Sequence, residues 1–319
     1  MANVFTKAPR LVRTALGLLE RDTVIARRVW RNAAGDFRGA EGDTINIKLP
    51  AFGVARKRSI RGEETRQASY LAQRSVAVTL TDNLYMKTPL SDAELTLDVE
   101  SFERDVLAAQ VSGIVRGIED EVVAEVENAP YHFNVEYDPD DPVEALFEAS
   151  EYLTLARVPA DRRFLAVGST AKRRLLTCKQ LIRADRAGDN SALRRAEIGE
   201  IAGIGSIFEV PALDPEAMYL YHESAFILGL RAPVVPPDAR GAVSSYENFA
   251  VRVVGITDAD EVVFNSHVDT YIGTDHVVDA GEFDKQGRFT PSEVPDPEGL
   301  DEVFVRAVAL TPAGGGTGS

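Results

Sequence analysis

His267, Asp269, Asp275 and His276 lie close together in the sequence and combine imidazoles with carboxylates, the donor types of a divalent-metal site or a metal-assisted hydrolase. The alternation around Val268 and Tyr271 reads as a strand, however, and a strand sends successive side chains to opposite faces, so the four need not converge. Asp138, Asp140 and Asp141 form one carboxylate cluster, and Asp258 with Asp260 another, suited by type to acid–base work or Ca²⁺. Both sit in turn-rich stretches, where Asp bonds its own backbone, and the turn reading is preferred. Gly168-Ser169-Thr170-Ala171-Lys172 has the outline of a phosphate loop but lacks the leading glycine and the Gly-Lys-Ser/Thr ending; a short helix capped by Ser169 accounts for it better. Gly199, Gly203 and Gly205 make no dinucleotide fingerprint, because no helix obviously follows them. The single cysteine, Cys178, excludes an internal disulfide and a cysteine-based zinc site, and reads as a buried or idle thiol. No catalytic residue, cofactor site or metal site is assigned on these grounds.

The wider composition narrows the classes. A chain of 319 residues is long enough for one large or two modest domains with real cores. Its formal charge of −15 argues against a protein whose main task is to grip phosphates, although an acidic chain can still enclose DNA without adhering to it. Positive charge concentrates early, at Arg10, Arg13, Arg21, Arg27, Arg28 and Arg31, while acids dominate from Asp92 to Asp141. No apolar run approaches the ~18 residues of a membrane span, and Met1 to Arg10 has no apolar block of signal type, so the chain is expected to be made and used in cytoplasm.

Periodicity supplies the elements that would position these groups. Leu11, Val12, Ala15, Leu16, Leu18 and Leu19 after Pro9 have helical spacing. Thr44 to Leu49 and Ser75 to Thr81 alternate as half-buried strands and are expected to pair as the legs of a long hairpin. The stretch between them, Ala55 to Arg74, carries Arg56, Lys57, Arg58, Arg61, Glu63, Glu64, Arg66 and Arg74 and is too polar for a core of its own. A ribbon of this kind is marginal alone and needs a neighbour to lie on. From Asp98 to Asn128, Phe102, Val106, Val111, Ile114, Ile118, Val122 and Val126 follow three- and four-residue steps without a proline, predicting a long uninterrupted helix. Asp141 and Pro142 are expected to start a further helix, and strands are expected at 163–167, 204–210, 218–221, 249–256, 261–264 and 303–310. A polar, proline-punctuated insertion runs from Asp279 to Gly299.

An arm, a charged hairpin, a spine helix, an α+β unit and returning strands, in that order, resemble the major capsid proteins of tailed bacteriophages with the Hong Kong 97 fold. The residues that carry the resemblance are Met1-Ala2-Asn3-Val4-Phe5 and Gly42-Asp43-Thr44-Ile45-Asn46-Ile47-Lys48-Leu49-Pro50. Ile182-Arg183-Ala184-Asp185-Arg186-Ala187-Gly188-Asp189 with Ile198-Gly199-Glu200-Ile201-Ala202-Gly203, and Ser224-Ala225-Phe226 with Arg231-Ala232-Pro233-Val234-Val235-Pro236, complete the set.

The resemblance implies an α+β chain with an N-terminal arm at 1–42 and an extended loop at 43–83. It further implies a peripheral domain at 84–138 and 244–319, with its spine helix at about 98–128, and an axial domain at 139–243. It implies a virion shell of hexamers and pentamers assembled in host cytoplasm around double-stranded DNA, with a scaffolding protein, a portal and decoration proteins as partners, and neither a cofactor nor a membrane. The eight charged residues between the hairpin legs become the candidates for contact between subunits. Some members crosslink a loop lysine to a neighbour's asparagine; Lys57 is the residue here that would fill that place, and no partner for it is identified. The insertion at 279–299 departs from the simplest pattern and is expected as a surface loop, a clasp or a platform. An encapsulin-type shell shares the fold, and a metal-dependent hydrolase using Asp269 and Asp275 is the reading from another class.

Overall fold

A computed structural model describes residues 13, 15, 17, 23–32, 44–48, 60, 75–91, 102–178, 203–237, 239–246, 249–258, 263–291 and 302–314. Its strands are β1 (Trp30–Asn32), β2 (Thr44–Lys48), β3 (Ser75–Thr79), β4 (Asp82–Ser91), β5 (Tyr131–Tyr137), β6 (Arg163–Val167), β7 (Ser206–Glu209), β8 (Met218–His222), β9 (Phe226–Arg231), β10 (Arg240–Tyr246), β11 (Phe249–Asp258), β12 (Val263–His276), β13 (Asp279–Phe283), β14 (Phe289–Pro291) and β15 (Glu302–Pro312). Its helices are α1 (Ala108–Asn128), α2 (Val143–Leu155) and α3 (Ser169–Thr177).

The strongest apolar period becomes α1, which buries Val111, Ile114, Val115, Ile118, Val122, Val123 and Val126. The helix expected to run unbroken from residue 98 enters instead through a π-helical stretch, Glu103–Leu107, and residues 92–101 lie outside those described. Gly113 and Gly117, one turn apart, notch one side of α1: a Cβ at Gly113 would stand 2.7 Å from the Met86 sulfur, and one at Gly117 3.3 Å from Leu84. Strand β4 therefore lies close against the helix. Buried Gln110 completes this seam, donating to Thr88 Oγ1 at 3.0 Å and to the Ser266 carbonyl at 2.9 Å while accepting from Ser266 Oγ at 2.8 Å.

The strands form two large sheets. One runs β1-β9-β12-β11-β10, with β4 also on β12; the other runs β14-β13-β15-β8-β6-β7, with β5 parallel to β15. Strand β12, fourteen residues long, organises the first sheet, because its first part pairs with β4 and β11 and its end pairs with β9. One apolar cluster contains α1 residues, Phe226, Val251 and Val268 from the first sheet, and Ala166, Tyr221 and Phe304 from the second. A second cluster, around Leu146, Leu153, Leu165, Leu220 and Val308, packs α2 and α3 on the seven-stranded sheet.

The strands after residue 244 divide between the sheets: β11 and β12 lie in the six-stranded sheet with β9, whereas β13, β14 and β15 lie in the seven-stranded sheet with β8 and β6. Several expectations are corrected by the hydrogen bonding. The first half of the insertion is no loose surface loop. Residues 279–291 form a strand–turn–strand unit whose Phe283 and Phe289 pack into the second cluster, and Asp284 closes the turn by accepting from the backbone N–H groups of Gln286 and Arg288, both at 2.9 Å. Residues 292–300 lie outside the described ones. Helix α2 has Pro142 rather than Asp141 at its N-cap, and Ser169 stands inside α3, whose N-cap is Gly168. The expected strand at 261–264 is the beginning of β12, longer than its alternation announced. In the expected first helix, residues 13, 15 and 17 are helical and the rest lie outside the described residues.

Candidate assembly elements

Strands β2 and β3 pair antiparallel with Thr44 opposite Thr79 and Lys48 opposite Ser75, the pairing expected from their matched alternation, and form a sheet of two strands only. The two threonine hydroxyls hydrogen-bond across the ribbon at 2.9 Å. Among the described residues a small set of contacts holds the ribbon to the body. Val78 is fully buried against Ile227 and Val277, with Val76, Leu80 and Trp30 packed around them. The Thr81 N–H donates to the Ile272 carbonyl at 3.0 Å. At the crossing point a Cβ on Gly273 would stand 2.1 Å from the Thr79 carbonyl oxygen, so glycine is what lets the ribbon cross β12 there. Arg56, Lys57, Arg58, Arg61, Glu63, Glu64, Arg66 and Arg74 lie outside the described residues; Ile60, among them in sequence, is fully exposed.

The stretch 23–32 is fastened differently. Glu119, on α1, accepts the N–H groups of Val24, Ile25 and Ala26 at 2.8, 2.9 and 3.1 Å, so one carboxylate on the spine holds a whole turn of the arm. Burial pushes the Glu119 pKa above the ordinary carboxylate value, against the downward pull of those three donors and of Arg28. Arg28 donates to the Val24 carbonyl at 2.7 Å and stacks over Phe208 at 4.2 Å, and Arg31 stacks over Phe249 at 4.8 Å. Ile25, Ala26 and Val29 are buried in the cluster around α1, and β1 then adds in parallel to the edge of β9. The early arginines thus include two that pack on aromatic rings, a role their clustering alone did not announce.

The residues singled out for metal chemistry do not form one site. Asp269 is committed to Arg252 through a bidentate pair at 2.8 and 2.5 Å, with only 2% of its side chain exposed, and Arg252 also donates to the Val234 carbonyl at 2.5 Å. His267 stacks on Tyr85 with ring centres 5.9 Å apart, and burial lowers its pKa. Asp275 and His276 stand further along β12, where Glu125 of α1 joins them. His276 Nδ1 and Glu125 Oε1 are 2.8 Å apart, and Asp275 Oδ1 accepts the His276 N–H at 2.8 Å. The hydrogen bond to Glu125 raises the His276 pKa, and burial raises that of Asp275. Glu125 belongs to no sequence motif; its place a helical turn before the end of α1 gave no signal.

Of the remaining motifs, those among the described residues have structural explanations. Asp138 Oδ1 accepts the Asp140 N–H at 2.9 Å, a local turn bond, and the Asp138 carbonyl accepts from the Asp141 N–H at 3.0 Å. The side chains of Asp258 and Asp260 lie outside the described residues, as do Gly199 and its surroundings. A Cβ on Gly168 would stand 2.1 Å from the Asp214 carbonyl oxygen, so this glycine serves close backbone packing, not a phosphate. Cys178 is buried, with its sulfur 3.4 Å from Asp141 Oδ1.

Sequence reasoning missed a buried polar chain. Arg306 grips Asp279 through two bonds of 2.5 and 2.6 Å and donates to Ser224 Oγ at 2.8 Å, and Ser224 Oγ lies 2.9 Å from His222 Nδ1. A serine beside a histidine suggests a nucleophile, yet the same Nδ1 accepts the Ser224 N–H at 3.2 Å and the hydroxyl oxygen is held by a guanidinium. Both residues are buried, and the geometry fixes the bend between β8 and β9. Buried Arg163 is likewise structural, donating to the carbonyls of Val158 and Pro159 at 2.7 and 2.9 Å beyond the C-terminal end of α2, where a helix dipole favours a cation. Among the described residues no helix is long and apolar enough to cross a membrane.

No protein-family model matches the chain, and no curated protein matches it. Solved structures do. The capsid structure of the cyanophage P-SCSP1u aligns over 98% of this chain and 90% of its own at 13% identity and a TM-score of 0.58. The mature capsid asymmetric unit of bacteriophage PhiM1 aligns over 98% and 90% at 9% identity and a TM-score of 0.56. A virus-like particle from Pyrococcus furiosus aligns over 95% and 98% at 10% identity and a TM-score of 0.51. At these identities the likeness is one of fold: the chain is a mixed α+β protein with the fold of phage capsid subunits.

Proposed function

We propose that this chain is the major capsid protein of a tailed bacteriophage, a structural subunit with the Hong Kong 97 fold that assembles into hexamers and pentamers around double-stranded DNA in the host cytoplasm. The observation that carries the proposal is the fold shared with phage capsids across nearly the whole of both chains. The ribbon supports it: a two-stranded sheet rooted by a few side chains is marginal alone and gains its remaining stability on another surface. In this reading 1–42 is the arm, 43–83 the extended loop, and the sheet containing β12 the core of the peripheral domain. The axial domain is 139–243 and the peripheral domain 84–138 with 244–319, β9 of the former pairing with β12 and β15 of the latter with β8. The charged residues from Arg56 to Arg74 contact a neighbouring subunit, where many exposed pairs of about 0–1 kcal/mol each are multiplied by the copy number. A scaffolding protein, a portal and decoration proteins are the partners, and the subunit is not an enzyme. The hydrolase reading is disfavoured because Asp269 is held by Arg252, apart from Asp275.

An encapsulin-type shell remains the second reading, supported by the likeness to the virus-like particle. Electron microscopy of the expressed chain with its helper proteins tests the proposal: closed icosahedral shells are expected, DNA with a portal vertex marking a phage head and cargo protein an encapsulin. Deleting Ala55 to Gln73 should abolish shells while the subunit still folds. A wild-type chain that stays monomeric overturns the shell reading, and normal shells from the deletion overturn the role of the loop.

A further inference from the structure

The C-terminal turn of α1 is electrostatically incomplete. It holds Glu125 and Glu127 and no basic residue, at the end of a twenty-one-residue helix where the backbone dipole favours a cation. Glu127 is occupied, accepting the Asp214 N–H at 2.8 Å. Glu125 faces Asp275 and His276, and neither carboxylate has a lysine or arginine partner among the described residues.

One ligand atom from each of Glu125, Asp275 and His276 lies within 4.8 Å of the other two. Metal–ligand bonds of about 2.0–2.2 Å place neighbouring ligand atoms about 3 Å apart in an octahedron and about 3.4 Å apart in a tetrahedron. The His276–Glu125 and His276–Asp275 separations are 2.8 and 3.7 Å and the third pair lies within 4.8 Å, close to these spacings, so small side-chain adjustments would bring the three onto one ion. Rigid supports hold it: Glu125 on the helix, Asp275 fixed by the His276 N–H, and the imidazole packed edge-on against Phe304 with ring centres 5.3 Å apart. All three side chains are partly exposed, leaving an entry path and room for water as further ligands.

We propose that Glu125, Asp275 and His276 bind a divalent transition metal of the Zn²⁺ class and so clamp the end of α1 to the end of β12. The imidazole selects such an ion over Mg²⁺ or Ca²⁺, which take oxygen ligands. On binding, the Nδ1 lone pair goes to the metal and any proton on Nδ1 passes to solvent; no redox change is involved.

The full-length chain, stripped with chelator, is titrated with Zn²⁺ by calorimetry and with Co²⁺ by visible absorption. One equivalent of saturable binding is expected, with a Co²⁺ d–d band and a melting temperature raised by Zn²⁺ but not by Mg²⁺. Glu125→Gln and His276→Gln should each weaken binding at least tenfold, and His267→Gln should leave it unchanged. Circular dichroism of the metal-free variants separates lost binding from lost folding, and Glu125→Gln, an isosteric change at a partly exposed helical position, is the variant that keeps the test alive if His276→Gln misfolds. The inference is overturned if the wild type shows no saturable binding, if Glu125→Gln binds as tightly as wild type, or if Mg²⁺ stabilises as much as Zn²⁺.

Discussion

Substituting Gly273 by alanine isolates the root of the ribbon from the rest of the fold. The added Cβ would stand 2.1 Å from the Thr79 carbonyl oxygen, 2.9 Å from the Thr79 carbonyl carbon and 3.2 Å from the Leu80 Cα. All three are backbone atoms, so no rotamer change relieves the contact, and the ribbon must lift by about 1 Å to restore van der Waals distance. Overpacking of this kind costs about 1–3 kcal/mol. Burying Val78 contributes about 1.5–3 kcal/mol, so the clash is comparable with the main apolar term holding the root down. The ribbon is therefore expected to detach, while β12 keeps its pairing with β9 and β11 and the subunit keeps its melting temperature within a few degrees. Hydrogen exchange reads this directly: the Thr81 amide, which donates to the Ile272 carbonyl, and the amides of β2 and β3 lose protection, and those of α1 do not. Shell yield, counted by electron microscopy, should fall sharply. Gly273→Ala protein that forms shells at the wild-type yield with Thr81 still protected would refute both the steric argument and the importance of the root.

Glu119→Ala leaves three arm N–H groups without their acceptor and should cost about 2–4 kcal/mol in chemical denaturation, whereas Glu119→Gln should cost less because burial already penalises the charge. Because the folded pKa of Glu119 is raised, the folded chain binds its proton more tightly than the unfolded one, and this group makes stability fall as pH rises from the ordinary carboxylate range through the raised value; Glu119→Gln should flatten that slope in denaturation midpoints measured against pH. Arg252→Ala strands the Asp269 carboxylate and should cost about 3–5 kcal/mol, with Arg252→Ala/Asp269→Ala costing less than the single change. Phe289→Ala removes a fully buried ring from the second cluster and should cost about 3–5 kcal/mol, with exchange protection lost first in β13 and β14; a cost below 1 kcal/mol would show that the 279–291 unit is peripheral after all.

Elements with one dominant period were legible in the sequence: α1, the legs of the ribbon, β6 at its two boundaries and β15 within two residues. What could not be read was pairing at long range. The apolar run of Val303 to Leu310 announces a strand but is the same whether its partner is β12 or β8, so its place beside β8 could not be read. The insertion was too polar on average to suggest burial, yet Phe289 is buried and Phe283 packs against the second cluster. Glu119, Glu125 and Gln110 drew no expectation, because the pattern along one helix does not reveal what approaches from a segment about a hundred or more positions away. The four residues from His267 to His276 were expected not to converge, and Asp269 is indeed held apart by Arg252; what the sequence did not show is that Glu125, from the helix, stands beside Asp275 and His276.

The energetics divide the chain into a body and an attachment, and the division bears on the shell proposal. In the body, α1 shares one apolar cluster with both large sheets, so neither sheet can be removed without exposing the helix to water. Among the described side chains of the ribbon Val78 is fully buried and Val76 partly buried, and its two strands form a sheet of their own. A two-stranded ribbon is marginal on such a root, and a closed lattice offers each copy an adjacent body to lie on. The steric requirement at Gly273 and the three N–H groups gathered by Glu119 then serve a common end: each fixes where a weakly self-stabilised segment leaves the body, which sets the direction in which it can reach a neighbour. Changing either exit should therefore alter assembly more than it alters the stability of the isolated subunit.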